Sequence, residues 1–257
     1  MITRFYNNAM VRHQARYYEN SGYFNFGYWD GRARSQREAS EALVDRLIDK
    51  IASPGGRILD VACGAGASTR RLMERYPPEA IAAINISEPQ LAEARKRAPG
   101  CGHIYMDAAR LGFPDNCFNA VISVEAAFHF DTREAFLREV FRVLRPGGTL
   151  VLSDILFRPR VALLADLFQV PRANLGGGVA HYERMLQAIG FASVEVEDAT
   201  GACLTPFRRN LARWPLAERK AGRADAKKTV RRLIGYGALS VYFGLACKAY
   251  VLAVARK

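Results

Sequence analysis

Nowhere in the 257 residues does an apolar run extend far enough without charge to cross a bilayer, so no transmembrane segment is expected. The opening MITRFYNNAMVRHQ has no apolar segment behind its basic residue and does not read as a secretory leader. Cysteine is scarce, with five at positions 63, 101, 117, 203 and 247, an odd number without the paired spacing of a zinc site. That argues against a disulfide framework, fits free thiols in a cytoplasmic protein, and leaves no metal expected. Repeats and low-complexity tracts are missing. Acidic residues nearly vanish at the end of the chain: residues 208–257 hold 13 Lys and Arg against 2 Asp and Glu, which is +11 of the net +12. The other 207 residues are almost balanced, 24 against 23. A basic tail suits solvated helix faces, an anionic ligand, a membrane surface or nucleic acid. It comes without a nucleic-acid-reading module, so no nucleic-acid partner is expected.

What is present is globular: 50% hydrophobic and 24% charged residues, enough for one core and an elaboration of about 50–70 residues. Residues 1–35 are rich in aromatics, culminating in SGYFNFGYWDG, and are expected to form a cap of helix and ordered loop over an active site. From residue 36 to 257 one α/β domain is expected. Leu43, Leu47, Ile48 and Ile51 mark a helix over 36–52. Strands are expected at 57–61, 80–84, 103–106, 120–124 and 149–153, with helices at 67–75, 88–97 and 132–144 between them. Strands alternating with helices at this spacing imply a parallel sheet with covering helices. After Asp154 the alternation breaks. Helical insertions are expected over about 155–190 and 204–245, around a strand at 191–196, before a closing strand in AYVLAVARK.

The stretch ILDVACGAGAST carries the first chemical signal. Asp60 ends an apolar strand, and Gly64 and Gly66 shape a tight turn into a helix. A dinucleotide fingerprint needs a third glycine and welcomes a pyrophosphate at the helix start. An acid at the mouth of the turn suits a ligand carrying an ammonium or a sulfonium instead. The glycines still let backbone approach a flat polar ligand.

The run from Asp60 to Gly66, DVACGAG, resembles the first motif of the Rossmann-like S-adenosylmethionine-dependent methyltransferases. The resemblance continues in order through INIS (84–87), MDA (106–108), FPDNCFN (113–119), SVEAAFHF (123–130) and LRPGGTL (144–150), covering roughly residues 56–155. The outer regions are similar, more loosely, to small-molecule and lipid methyltransferases of secondary metabolism, which share a Tyr-rich start ahead of a phrase like FGYWD.

The resemblance implies a Rossmann-like sheet of about seven strands, an N-terminal helical cap and a late helical insert before the last strand. It also implies S-adenosylmethionine as cofactor, with S-adenosylhomocysteine as product. Asp60, Ala62, Cys63, Gly64 and Gly66 would sit beside the methionine part. Asn85, where the family usually has an acid, would reach the ribose with Ile86 and Gln90, and Asp107 with Ala108 would read the adenine. Glu125 is placed at the methionine end and the acceptor pocket, and Tyr18 is a cofactor-contact candidate.

Methyl transfer from a sulfonium is an in-line displacement in which alignment supplies much of the rate. His129, following the fourth strand, is the candidate general base, with Glu125 beside it. Tyr28, Trp29, His129 and His181 are candidate acceptor contacts, and Leu163, Leu164, Leu167 and Phe168 a candidate pocket wall. The expected reaction is O-methylation of a hydrophobic small molecule by a cytoplasmic enzyme, with a homodimer among the assemblies left open. C- or N-methylation, a cofactor-binding protein that transfers no methyl group, a nicotinamide oxidoreductase and an RNA-binding relative remain open at this stage.

Overall fold

The computed structural model describes residues 16–51, 55–159 and 169–257. Seven strands form one sheet in the order β3-β2-β1-β4-β5-β7-β6. In chain order the elements are α1 (Gln36–Asp49), β1 (Ile58–Val61), α2 (Ala67–Leu72), β2 (Ile81–Asn85), α3 (Glu88–Arg97), β3 (Gly102–Tyr105), β4 (Phe118–Val124), α4 (Arg133–Val143), β5 (Leu144–Phe157), α5 (Val179–Ile189), β6 (Ser193–Asp198), α6 (Leu204–Lys220), α7 (Ala226–Ala246) and β7 (Cys247–Arg256). Strands β1 to β5 pair in parallel, whereas β7 runs antiparallel to both β5 and β6.

Burial on both faces explains the unbroken apolar character of the central strands. Successive side chains of β1 face opposite layers. Ile58 joins the core beneath α1 and α2 with Leu43, Leu47 and Leu72, while Leu59 and Val61 join the core beneath α4 and α5 with Phe136, Val140, Tyr182 and Leu186. Asp60 therefore shares the α1/α2 face with Ile58. Three helices carry side-chain caps: Ser35 accepts from the Glu38 N–H, Thr132 from Ala135 and Asp225 from Lys228. Each such cap contributes about 1 kcal/mol.

The expected element order holds, with differences that pairing explains. Strand β5 reaches from 144 to 157 rather than 149–153, because β7 pairs with it from Thr149↔Arg256 to Phe157↔Cys247. Helix α2 stops at Leu72, and the chain turns before Tyr76 buries in the core. The second insertion is a hairpin of two helices, α6 and α7. The expected helix at 160–170 and the candidate wall residues Leu163, Leu164, Leu167 and Phe168 fall mostly or wholly in 160–168, outside the described residues, as do residues 1–15 of the expected cap. Among the described residues no helix is long and apolar enough to cross a membrane, and no group of three His, Cys, Asp or Glu is placed to hold a metal.

Candidate active site

Strand order reverses between β1 and β4, and the crevice beyond their carboxyl ends is where ligands of open parallel sheets collect. A cavity of about 290 Å³ opens there. Its walls come from the β1–α2 turn (Ala62, Cys63, Gly64, Ser68), the end of β2 (Asn85, Ile86, Gln90), the β3 exit (Met106, Asp107, Ala108) and the β4 exit (Glu125, Phe128, His129). Residues 22–25 of the N-terminal segment close another side, bringing Tyr23, Phe24 and Asn25 against it.

Ten of the residues singled out by sequence thus meet on one wall system: Ala62, Cys63, Gly64, Asn85, Ile86, Gln90, Asp107, Ala108, Glu125 and His129. Six others stand elsewhere. Asp60 lies behind the wall, 1% exposed, its Oδ2 accepting from Ser68 Oγ at 2.8 Å and Thr69 Oγ1 at 2.7 Å. Its Oδ1 is buried without a hydrogen-bond partner among the described residues. Burial pushes its carboxyl up to about 6 despite those two donors. Gly66 serves packing: a Cβ there would come within 2.7 Å of the Ala94 backbone, so glycine is what lets α2 lie on α3. Gly64 differs, at φ +54 with nothing within 4 Å of a built Cβ, leaving its backbone bare to the cavity.

Tyr18 is buried one ring behind Phe24, at 5.5 Å between centroids, so Phe24 takes the wall position instead. Tyr28 lies under the Arg46 guanidinium, 4.6 Å from its ring centre. Trp29 donates its indole N–H to the Phe26 carbonyl and its backbone N–H to Ala202. Both rings anchor the N-terminal segment and neither reaches the cavity. His181 is exposed on the first turn of α5, because the helical period turns its neighbour Tyr182 inward.

Glu125 and His129 carry the polar chemistry of the wall. Glu125 Oε2 accepts from the Phe26 N–H and the Tyr250 O–H, each at 2.8 Å. Burial drives its carboxyl up to about 8, with the neighbouring Asp154 charge adding to the rise. His129 sits in the short turn Ala127–His129, 7% exposed, with Nδ1 3.4 Å from the Gln169 carbonyl. Burial lowers its imidazole to about 4, so the ring is neutral at physiological pH. Beneath that turn, Asn174 Nδ2 donates to the carbonyls of Phe128 (3.1 Å) and Phe130 (2.6 Å), and Arg133 clamps Asn174 while pairing with Asp154 at 2.6 Å. Asp154 is fully buried in that pair rather than facing the cavity.

Linkage makes Glu125 testable. Between the ordinary value of 4.5 and about 8 the folded chain keeps a proton that the unfolded chain has lost. Stability from this group is therefore complete below 4.5 and declines as pH rises toward 8. Glu125→Gln should remove that decline, so the stability difference between variant and parent shifts by on the order of 3 kcal/mol between pH 5 and 8.5 in denaturant titrations. Parallel stability–pH curves would show that the carboxyl ionises as readily in the fold as outside it.

Sequence reasoning counted Tyr23 and Phe24 in the aromatic strap without assigning either a contact, and missed Asn25, Ser68 and Tyr250. The aromatic strap was visible, but which rings turn inward depends on where the strap is pinned. Ser68 follows the glycine turn by two residues and was open to inference as a donor to Asp60. Tyr250 had no local signal, since β7 meets β4's exit only across β5.

The cavity suits a cationic methyl donor on observations of its own. Asp107, Glu125 and Asp131 line it, Asp60 backs it, and no Lys or Arg stands among its described lining residues, in a chain of net charge +12. A pyrophosphate would find no cationic partner there. The bare Gly64 backbone offers close approach, and the Asn85–Gln90 amide pair, joined at 2.7 Å, stands at the β2 end. Asn85 Oδ1 also accepts from the Ile86 N–H, so its side chain is held in place by the protein. One lone pair of that oxygen stays available for a ribose hydroxyl.

Sheet order, glycine turn and acid-lined crevice define a Rossmann-like methyltransferase that uses S-adenosylmethionine. A sequence model described as a methyltransferase domain matches residues 59–152. The chain is 34% identical over 188 residues to 27-O-demethylrifamycin SV methyltransferase of Amycolatopsis mediterranei, covering 68% of each. Among solved structures it superposes on the [4+2]-cyclase SpnF (TM-score 0.68, 25% identical, 96% of this chain and 93% of that one). It also superposes on geranyl diphosphate C-methyltransferase from Streptomyces coelicolor A3(2) (TM-score 0.71, 17% identical, 99% and 96%). The chain belongs to the S-adenosylmethionine-dependent methyltransferase family.

Proposed function

We propose that the chain methylates an oxygen atom of an uncharged, hydrophobic natural product, with His129 receiving the proton. S-Adenosylmethionine supplies an electrophilic methyl group on sulfur. The buried imidazole of His129 on the cavity wall is the observation that carries the reading: a hydroxyl needs a base as it becomes nucleophilic, and burial favours the neutral ring, which can accept without first losing a proton. Asn174 and Arg133 keep its turn fixed. Glu125 holds the strap through Phe26 and faces the donor end with a carboxyl that a nearby cation would help to ionise.

Tyr23, Phe24, Phe128 and Phe130 give the acceptor apolar area and exclude water, and the strap at 22–25 serves as a closing side of the cavity. The lack of Lys and Arg among the described lining residues argues against a diphosphate acceptor such as the one bound by the geranyl diphosphate enzyme. The relative that methylates 27-O-demethylrifamycin SV supports a hydroxyl acceptor.

The test incubates the protein with trideuteromethyl S-adenosylmethionine and a panel of hydroxylated polyketides and phenols. A product gaining one labelled methyl on oxygen, with equimolar S-adenosylhomocysteine, is expected; a label on carbon overturns the oxygen assignment. The cyclase neighbour favours a second reading, an intramolecular [4+2] cyclisation in the same cavity, recognised by product of unchanged mass and no S-adenosylhomocysteine.

A further inference from the structure

We propose that the outward face of α7, with the basic residues around it, docks on a membrane surface rich in anionic lipid. Seven large hydrophobic side chains are exposed among the described residues, and four of them, Val230, Ile234, Val241 and Leu245, lie along this one helix at 56–69% exposure. With Ala238 they follow the spacing i, i+4, i+8, i+11, i+15. That spacing confines them to an arc of about 80° over roughly 22 Å. From Ile234 to Ala246 every exposed position is apolar. Lone exposed hydrophobics need no explanation, but a continuous stripe does.

The inner face of the helix is already committed. Trp214 meets Tyr236 edge-on at 5.2 Å, Phe207 meets Phe243 at 5.9 Å, and the buried Glu218 carboxylate is ringed by Arg16, Arg223 and Arg232. The stripe is thus presented by a fixed scaffold, not by a helix free to roll inward.

Charge selects the occupant. Exposed Lys227 and Arg231 stand at the N-terminal end of the stripe and Lys248 just past its C-terminal end. Helix α6 alongside exposes Arg209, Arg213, Arg219 and Lys220. A second copy would bring an equally basic segment against this one, and nucleic acid would leave the apolar centre without a partner. An anionic bilayer answers both features: acyl chains take the stripe, and headgroups take the lysines and arginines. The helix then lies in the interface plane without spanning it. Phe26, whose N–H holds Glu125, stacks on Phe207 of this hairpin at 4.0 Å, so docking would set the closing strap of the cavity beside the bilayer. Docking itself does not depend on which acceptor the enzyme takes.

Full-length protein should be mixed with vesicles of phosphatidylcholine alone or with an equal part of phosphatidylglycerol, and association followed by co-sedimentation. Association about tenfold or more tighter with the anionic vesicles is expected. Ile234→Glu with Val241→Glu should abolish it, and Lys227→Gln with Arg231→Gln should weaken it about tenfold. Both double variants should keep the parent's melting temperature and S-adenosylhomocysteine affinity. No preference for anionic vesicles, or association untouched by the glutamates, overturns the proposal. So does a dimer in light scattering that the glutamates dissolve, or binding to structured RNA in place of vesicles.

Discussion

Asp60→Ala is expected to weaken S-adenosylmethionine binding by about a hundredfold in calorimetry, the largest effect of any single change on cofactor affinity. Two hydroxyls, Ser68 Oγ and Thr69 Oγ1, donate to one oxygen of this buried carboxylate and fasten the start of α2 to the end of β1. Hydrogen bonds to a charged acceptor contribute about 1.5–3 kcal/mol each, and both donors would be left buried. The turn between these anchors contains Cys63 and Gly64, so the loss reaches the cavity wall directly. Asp60→Asn keeps the shape and one acceptor while removing the charge, and about a tenfold loss is expected from it.

A pH signature separates charge from shape. Because burial raises this carboxyl to about 6, affinity for the cationic donor should climb between pH 5 and 7 as Asp60 ionises, then level off. Asp60→Asn should flatten the climb. If the asparagine variant binds within threefold of the parent at pH 7.5, Asp60 acts only as a structural fastening.

His129→Ala should lower kcat by about 10²–10⁴ while leaving the dissociation constant for S-adenosylmethionine within threefold. The split follows from position: the ring stands past the end of β4, whereas the glycine turn and the Asn85–Gln90 pair stand at the ends of β1 and β2. With the imidazole lowered to about 4, its basic form is already complete above pH 5. At saturating S-adenosylmethionine, which removes the Asp60 effect on donor binding, the acid limb of kcat/KM for the acceptor should therefore fall near pH 4 and be absent between 5 and 8. A His129→Ala enzyme whose turnover stays within twofold on the true acceptor excludes an essential base. A parent limb near pH 6.5 would mean that the ring is solvated at work. Added imidazole restoring part of the lost rate would separate base chemistry from packing.

The stretch at 58–69 shows how far local pattern reaches. An acid, two glycines and two hydroxyls at fixed offsets specify a strand, a turn and a helix start, because each step is a short-range steric or hydrogen-bonding demand. The same pattern assigned one role to both glycines. Space assigned two: Gly64 faces the cavity, while Gly66 makes room for the Ala94 backbone. At Asn85 the sequence marked a polar position at the end of a strand but not that its amide is already engaged by Gln90 and Ile86. The aromatic strap was read as a lid on composition, yet Tyr28 and Trp29, the residues chosen from it, serve as anchors. A flexible glycine-rich segment has no period from which to tell inward from outward rings.

By itself the sequence determined the alternation of strands and helices, the glycine turn with its acid, the cofactor class and the concentration of positive charge in the last fifty residues, since all of these are written in neighbours along the chain. Only the tertiary structure decided that β7 inserts antiparallel beside β5 and delivers the Tyr250 hydroxyl to Glu125, that Asn174 grips the turn bearing His129, and that α7 keeps an apolar face in the open. Those features join residues 44 to 125 positions apart, or depend on which side of a helix finds a partner, and such outcomes are set by packing the whole chain at once.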